Sequence, residues 1–292
     1  MNETLGKISI ARRALHDSLV QQGVVSISSE GIASMADRSQ ASSKSLGLQI
    51  ALGMGAEFGG IKLKGQTLGA KFEAAIAEFL SETMSALSAI RPGRWTVECV
   101  GGKRKIDHLA KYEPYRHLDD LARAIEQNPM LEAAVGNLYA VSPDVLVVRA
   151  PESDENINKY DKVVDKSTAR LTTMREENNS DAINLVHAVI SCKFTMRSDR
   201  AQNARSEALN VIRNRKGRAP HVVAVTAEPS PSRLASLALG TGDIDTVYHV
   251  ALPELQKATY DLVNDEAMNM LSMLIEGKRL RDISDMPLDF SV

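Results

Sequence analysis

Residues 187–226, HAVISCKFTMRSDRAQNARSEALNVIRNRKGRAPHVVAVT, contain the succession of patterns that decides the fold. Residues 187–195 form a short apolar run, typical of a strand that is buried on both faces. Residues 200–214 repeat apolar positions at helical spacing, and a turn over 214–220 leads to a second apolar run at 221–226. Strand, helix and strand in succession predict an α/β fold with a mixed central sheet flanked by helices.

The same kind of pattern continues on both sides of this segment. We predict further helices at 4–22, 69–89 and 114–136 and further strands at 95–100 and 141–148. Residues 23–68 are rich in Gly and Ser and are predicted to be largely irregular, with one short helix near 46–52. A polar loop is expected at 151–181, and a long helix with a break at 252–278. No linker or repeat divides the chain, so residues 1–292 are expected to form one domain.

The composition is that of an ordinary globular protein, with 43% hydrophobic and 25% charged residues. No apolar stretch approaches the roughly 18 residues of a membrane span, and the first residues contain no apolar signal region. Cys99 and Cys192 are too few for a disulfide framework or a four-ligand zinc site. We therefore expect a cytoplasmic protein that does not enter a membrane.

The net charge of −2 hides an uneven distribution along the chain. From Lys193 to Arg233, nine basic residues oppose three acidic ones, so this segment carries +6 and the remainder carries −8. A basic segment on an acidic body can hold a polyanion such as DNA at one face. The alternative is a solvated helix that is merely rich in arginine.

Two charged residues stand near the ends of predicted strands. Asp144 follows Pro143 near the start of one strand, and Lys193 stands near the end of the other. Burying either charge is costly without a partner or a metal. Magnesium is usually bound by one or two carboxylates together with water and substrate phosphate. The residues therefore suit phosphate chemistry, although a Pro-Asp…Lys pattern by itself is common.

The helix after Lys193 adds a second carboxylate. Arg200, Asn203 and Glu207 follow the spacing i, i+3, i+7 and share one helical face. Glu207 can then lie beside the Asp144 and Lys193 pair. The alternative is that Glu207 pairs with Arg200 or Arg205 on the surface.

Beyond these spacings, residues 191–249 closely resemble the type II restriction endonucleases of the NgoMIV family. The resemblance extends to GQTLGAKFEAAIAEF (65–79), SPDVLVV (142–148) and EGKRLRDISDMPLD (276–289); the N-terminal quarter and residues 151–182 are least alike. This family belongs to the PD-(D/E)xK nuclease superfamily, among the tetrameric enzymes that recognise CCGG-containing sites. The resemblance implies a restriction-endonuclease-like fold and magnesium-dependent hydrolysis of both strands of double-stranded DNA.

The resemblance also implies catalytic roles for individual residues. Asp144 matches a metal-binding aspartate, and Lys193 matches the catalytic lysine. Most of the superfamily has an acidic residue two positions before that lysine, where this chain has Ser191. The NgoMIV-like enzymes instead take the second carboxylate from the following helix, where Glu207 stands.

Two further residues are expected to serve the metal. Cys192 matches a residue whose backbone carbonyl approaches the metal, and Glu73 matches a glutamate that orients metal-bound water. Without the resemblance, Glu73 would be interpreted as an ordinary exposed helix residue. One or two magnesium ions per active site are implied, with products that carry 5′-phosphate and 3′-hydroxyl ends.

Arg197, Asp199 and Arg200 are the expected readers of the CCGG core. Arginine binds guanine O6 and N7 bidentately, and aspartate accepts a hydrogen bond from the cytosine amino group. The resemblance assigns these three residues to the core base pairs. The alternative from the residues alone is a local salt-bridge network between Asp199 and its two arginines.

The outer base pair and the assembly follow from the resemblance in the same way. Arg233, Asp37 and Ser39 match base-contacting residues, and Gln66 matches a minor-groove contact. The implied target is GCCGGC, cut after the first G to leave a 5′-CCGG overhang. A palindrome requires two-fold symmetry, and the resemblance implies a homotetramer, a dimer of dimers that binds two sites. A cognate DNA methyltransferase is implied as the functional partner.

Several other functions remain open at this stage. The chain can have another CCGG-containing specificity, or it can be a repair or junction-resolving nuclease on the same fold. A DNA-binding regulator without catalysis is a further alternative. A metabolic α/β enzyme lacks support, because the sequence contains no GxGxxG, GxxxxGK[ST] or GxSxG motif.

Overall fold

The structure is a computed structural model and describes residues 5–61, 63–100, 108–128, 130, 143–178, 183–239, 242–262 and 265–292. Its helices are α1 (Lys7–Gln21), α2 (Ala41–Gly53), α3 (Gly65–Ala86), α4 (His117–Glu126), α5 (Asp154–Ile157), α6 (Ser198–Asn214), α7 (Pro231–Ala238), α8 (Leu252–Asp261), α9 (Asp265–Glu276) and α10 (Met286–Asp289). Its strands are β1 (Trp95–Cys99), β2 (Val145–Arg149), β3 (Leu185–Cys192), β4 (His221–Thr226), β5 (Thr246–His249) and β6 (Leu280–Asp282). Short 3-10 helices lie at His108–Lys111 and Glu176–Asn178.

Within the described residues, the six strands form one sheet in the order β1-β2-β3-β4-β5-β6. β1, β2 and β3 are antiparallel neighbours, and β3 to β6 run parallel. The parallel strands are joined by helices, because a parallel connection needs a crossover that returns the chain to the same end of the sheet. The mixed α/β architecture predicted from the sequence is confirmed.

Helices α3 and α6 cover opposite faces of the sheet near the end of β3. Side chains alternate between the two faces along a strand. Ser191 hydrogen-bonds Glu207 of α6, so the next side chain, Cys192, points to the other face. There it lies close to Glu73 of α3. The two helices therefore present their carboxylates to the same strand end from opposite sides.

Most predicted elements are present with shifted bounds. The strands predicted at 141–148 and 187–195 correspond to β2 and β3, and β3 ends at Cys192, before Lys193. The helix predicted at 114–136 is observed only as α4. Residues 131–142, which include parts of the predicted helix and strand, lie outside the described residues, as do residues 1–4 and 179–181.

Residues 23–68 contain more helix than predicted. α2 is longer than the helix predicted near 46–52, and α3 begins at Gly65 rather than at residue 69. Gly47 lowers the intrinsic helix propensity of α2, but its missing side chain permits close packing: a Cβ there would lie 3.2 Å from the Cβ of Ala36. Burial of Leu46 and Ile50 stabilises α2 in the folded protein.

The C-terminal region follows the prediction in part. Helices α8 and α9 correspond to the predicted helix with a break, and residues 263–264 between them lie outside the described residues. The strands β5 and β6 have no predicted counterpart, because three- and four-residue strands contain too few positions for a recognisable period. The helices α7 and α10 have no predicted counterpart either. No helix among the described residues is both long and apolar enough to span a bilayer.

Candidate active site

The antiparallel pairing of β2 and β3 brings the catalytic candidates together. Val145 at the start of β2 pairs with Ile190 near the end of β3. Asp144 directly precedes β2, and Lys193 directly follows β3, so both lie at the same edge of the sheet. The Lys193 backbone N–H donates to the carbonyl of Val225 in β4 at 2.9 Å, which fixes the position from which the side chain extends.

Lys193 contacts both candidate metal-binding carboxylates. Its Nζ donates to Asp144 Oδ2 at 2.9 Å and lies 3.6 Å from Glu207 Oε2. The Asp144 side chain is only 1% exposed, and its Oδ2 also accepts from the backbone N–H of Cys192 at 2.7 Å. The two carboxylates are thus held around one ammonium group at the end of β3.

Glu207 is directed to the Lys193 ammonium group. Its Oε2 accepts a hydrogen bond from Ser191 Oγ at 3.3 Å. Arg205, the partner in the alternative interpretation, donates instead to the carbonyls of Ser236 and Leu237. Ser191 occupies the position where most of the superfamily has an acid, and here it supports the carboxylate that comes from α6.

Glu73 is buried, at 7% exposure, which rejects its interpretation as an exposed helix residue. The preceding residue, Phe72, packs edge-on against Phe194, with ring centroids 5.4 Å apart. Because Phe194 directly follows Lys193, this contact aligns α3 with the end of β3. An aromatic pair therefore positions Glu73 beside the strand end.

The nearby carboxylates influence the protonation states of Lys193 and Cys192. Burial lowers the pKa of Lys193, but Asp144 and Glu207 outweigh that effect, so the pKa is raised and the side chain stays an ammonium. Burial raises the pKa of the Cys192 thiol well above its usual range, and Asp144 and Glu73 raise it further. The thiol is therefore neutral.

The available protein ligands fit a magnesium ion whose coordination is completed by water and substrate. Among the described residues, no three His, Cys, Asp or Glu side chains are grouped so as to hold a metal. Magnesium usually takes one or two carboxylates, with water and substrate phosphate as its other ligands. Asp144 and Glu207 provide two carboxylates that contact one ammonium, so their oxygens lie close together. A softer metal that needs three or four protein ligands does not fit.

A cleft of about 420 Å³ joins this centre to the expected base-reading residues. It is lined by Asp37, Glu73, Cys192, Lys193, Arg197, Arg200, Asn203, Glu207 and Arg233, among others. The predicted shared face of Arg200, Asn203 and Glu207 therefore lines one cleft. Asp199, Gln66 and Ser39 are exposed and are not part of its lining, although Gly65, next to Gln66, is.

The core-reading candidates do not form the alternative salt-bridge network. Within the described residues, Asp199 makes no ion pair with Arg197 or Arg200. Arg200 Nη1 donates to Thr195 Oγ1 at 2.8 Å and to the Thr195 carbonyl at 3.2 Å. Thr195 thus orients Arg200 along the cleft, a role that the sequence did not suggest.

The outer-base candidates meet although they are far apart in sequence. Arg233 forms an ion pair with Asp37. Asp37 Oδ1 also accepts from the Ser39 backbone N–H at 2.9 Å and from its hydroxyl at 2.7 Å. Hydrogen bonds from Arg233 and Ser39 hold the pKa of Asp37 well below its usual range, so it is ionised. Three of the four predicted outer-base residues therefore form one cluster.

Glu228 is a buried acid that sequence reasoning counted only as a charge in the basic segment. It follows the fully buried end of β4 and lies 3.9 Å from Arg233. The available signal was a charged residue just beyond the end of an apolar strand, the same signal that pointed to Lys193.

Comparisons with known proteins identify the family of this chain. The sequence profile of the family described as NgoMIV restriction enzyme matches residues 15–292. The type II restriction enzyme NgoMIV of Neisseria gonorrhoeae is 45% identical over 281 residues, which cover 96% of this chain and 97% of that protein. A solved complex of restriction endonuclease PspGI with substrate DNA aligns over 98% of this chain and 92% of its own, with 11% identity and a TM-score of 0.25, too low to support an inference. The family match spans nearly the whole chain, and we conclude that the chain belongs to the NgoMIV restriction enzyme family of type II site-specific deoxyribonucleases.

Proposed function

We propose that this enzyme cuts both strands of GCCGGC after the first G, in a magnesium-dependent reaction that leaves 5′-CCGG overhangs. The observation that carries the proposal is the contact of Lys193 with Asp144 and Glu207 in a cleft that is also lined by Arg197 and Arg200. Catalytic and base-reading side chains thus share one space.

Asp144 and Glu207 would hold the magnesium, and the Cys192 carbonyl would approach it. When bound, magnesium neutralises the scissile phosphate and activates a water molecule for attack. Lys193, kept as an ammonium by its two carboxylate partners, donates to a phosphate oxygen and stabilises the charge that develops there. The Cys192 N–H holds Asp144 in place, and Glu73 orients water from the α3 side.

The bases are read from the same cleft. We assign Arg197, Asp199 and Arg200 to the CCGG core, where arginine pairs with guanine and aspartate with cytosine. Arg233 and Asp37 are assigned to the outer G·C pair. Their mutual ion pair places a guanine-binding and a cytosine-binding group side by side, as the two bases of one pair require. Ser39 and Gln66 are assigned supporting contacts beside them.

The assembly and cellular context complete the proposal. One domain spans residues 1–292, and four chains associate as a dimer of dimers that binds two sites. The enzyme acts in the cytoplasm beside a DNA methyltransferase that protects the same sequence on host DNA.

The decisive experiment is digestion of plasmid DNA of known sequence, with and without magnesium, followed by sequencing of the ends. We expect discrete fragments with CCGG overhangs at GCCGGC only when magnesium is present. Discrete cuts at another CCGG-containing site would retain the mechanism and reject the assignments of Arg233 and Asp37.

The same digestion separates the remaining alternatives. Cutting without sequence preference would indicate a repair or junction-resolving nuclease. Specific binding without cutting, independent of magnesium, would indicate a regulator. The clustered charges of Asp144, Lys193 and Glu207 argue against the regulator, since a protein that only binds DNA gains nothing from the cost of burying them.

A further inference from the structure

Glu228 is fully buried, with 0% of its surface exposed, and lies outside the group of residues assigned to catalysis. Both of its carboxylate oxygens accept hydrogen bonds from the backbone. Oε2 accepts from the N–H of Met196 at 2.7 Å, and Oε1 accepts from the N–H of Ser230 at 3.1 Å. The backbone of Glu228 is itself held, because its N–H donates to Thr226 Oγ1 at 3.1 Å.

The two segments joined by this carboxylate are the two that carry base-reading residues. Met196 directly precedes Arg197 and the core-reading cluster. On the other side, Oε1 of Glu228 lies 3.9 Å from Nη1 of Arg233, whose Nη2 is paired with Asp37. A continuous set of contacts therefore runs from Asp37 through Arg233 and Glu228 to the start of the core-reading segment.

Packing alone does not explain a carboxylate at this position. Burial raises the pKa of Glu228 to about 7, although the Met196 N–H, Arg233 and the Ser230 N–H oppose that effect. A buried charge is retained at a cost that an apolar side chain would avoid. Only a carboxylate offers two acceptor oxygens to two N–H groups, because an amide would turn a donor NH2 toward one of them.

We propose that Glu228 is a positioning residue for sequence readout, which holds Arg233 in a fixed relation to the segment that carries Arg197 and Arg200. The proposal rests on the readout assigned under the proposed function. It goes further because Glu228 itself contacts no base: it lies behind the cleft, and its effect on specificity passes through Arg233 and Met196.

The test compares Glu228→Gln with the wild type and with Arg233→Ala. The outer pair that the wild type prefers is first determined by digestion. Binding to duplexes with and without that pair is then measured by gel shift in the absence of magnesium. We expect Glu228→Gln to lower the ratio of the two dissociation constants about tenfold, the effect of losing one charge-assisted hydrogen bond. Glu276→Gln, the same change at an exposed glutamate on α9, should retain the wild-type ratio.

A pH profile separates positioning from simple structural support. The groups that face the Glu228 carboxylate are Arg233, Asp37 beyond it, and the backbone of Met196 and Ser230. His249, which contacts the Glu228 carbonyl, is neutral because burial lowers its pKa to about 4. As the pH falls from 8 to 6, we expect outer-pair discrimination to fall in the wild type and to stay constant in Glu228→Gln.

The outcomes distinguish this inference from the proposed function. If Arg233→Ala loses discrimination and Glu228→Gln keeps it, the positioning role is wrong and the readout assignment stands. If Arg233→Ala keeps discrimination, the readout assignment fails, and the route from Glu228 through Arg233 fails with it. Should Glu228→Gln not fold, the same ratio of dissociation constants is measured for Glu228→Asp, which keeps the charge but shortens the side chain; a wild-type ratio in that variant would overturn the positioning role.

Discussion

The ammonium group of Lys193 contacts Asp144 and Glu207 at once, and this contact determines what each residue can do. The two carboxylates raise the pKa of the lysine and keep it charged, so it can donate a hydrogen bond to a phosphate oxygen. The chemistry at the scale of single residues is therefore electrostatic stabilisation by a fixed cation beside two metal-binding carboxylates.

Replacing Lys193 by Ala removes that cation without altering the residues assigned to base readout. We expect cleavage to slow by about 10²–10³-fold or more, the usual effect of losing one group that stabilises transition-state charge. Binding to the target should stay within a few-fold of the wild type. Single-turnover cleavage and gel shift measure the two quantities. Lys7→Ala, at an exposed position on α1, is the matched control. Equal losses of binding and cleavage would contradict a catalytic role.

Glu228 also makes stability depend on pH. Its pKa of about 7 in the folded protein exceeds the value of about 4.3 for an unfolded glutamate. Between these values the folded state holds a proton that the unfolded state has released. The stabilisation is therefore fully present below about pH 4 and is lost as the pH rises through 7.

The melting temperature of the wild type, relative to Glu228→Gln, should accordingly be higher at pH 5 than at pH 8, by about 3 °C or more. Thermal unfolding of both proteins between pH 5 and pH 8 measures this difference in melting temperature. Groups that are present in both proteins titrate alike, so their contributions cancel. A difference that is independent of pH would show that Glu228 does not titrate in this range.

At the scale of secondary-structure elements, Arg12 connects three parts of the chain that are distant in sequence. From α1 it donates to Glu254 of α8 at 2.6 and 3.0 Å and to Asp282 of β6 at 2.9 and 3.0 Å. All three side chains are largely buried, with exposures of 10–18%. The N-terminal helix is thereby attached to the C-terminal edge of the sheet.

Replacing Arg12 by Ala leaves Glu254 and Asp282 buried without this cation. Breaking such a buried group by removing one partner typically costs about 3–5 kcal/mol, and we expect a loss toward the lower end because the side chains retain some exposure. Urea denaturation measures the change in the free energy of unfolding. Arg13→Ala, the neighbouring but exposed arginine, should change it by less than about 0.5 kcal/mol. Similar losses in both variants would refute the assigned role of Arg12.

At the scale of the whole molecule, the proposed palindrome requires at least two copies of the cleft. We expect light scattering at micromolar concentration to give about four chains, each of 31.7 kDa. Plasmids with two target sites should be cut faster than plasmids with one, because a tetramer engages both sites together. A stable monomer, or equal rates on the two plasmids, would reject the dimer of dimers.

The sequence by itself determined the sheet-forming segments and the candidate catalytic residues. Short apolar runs identified β2, β3 and β4, because strands buried on both faces need near-continuous apolar side chains. The spacing of Arg200, Asn203 and Glu207 placed them on one helical face, which the cleft confirms. The predictions of strands and of a shared helical face are confirmed because each depends on a local period, whereas the catalytic roles stay predictions.

Only the tertiary structure decided which distant residues meet. The antiparallel register of β2 and β3 brings Asp144 to Lys193, and the fold brings Asp37 to Arg233 across 196 positions. No local pattern encodes such contacts, because strand pairing and helix packing depend on the shape of the whole core. For the same reason Glu228 looked like one more charge in the sequence, whereas burial between two base-reading segments gives it a physical role.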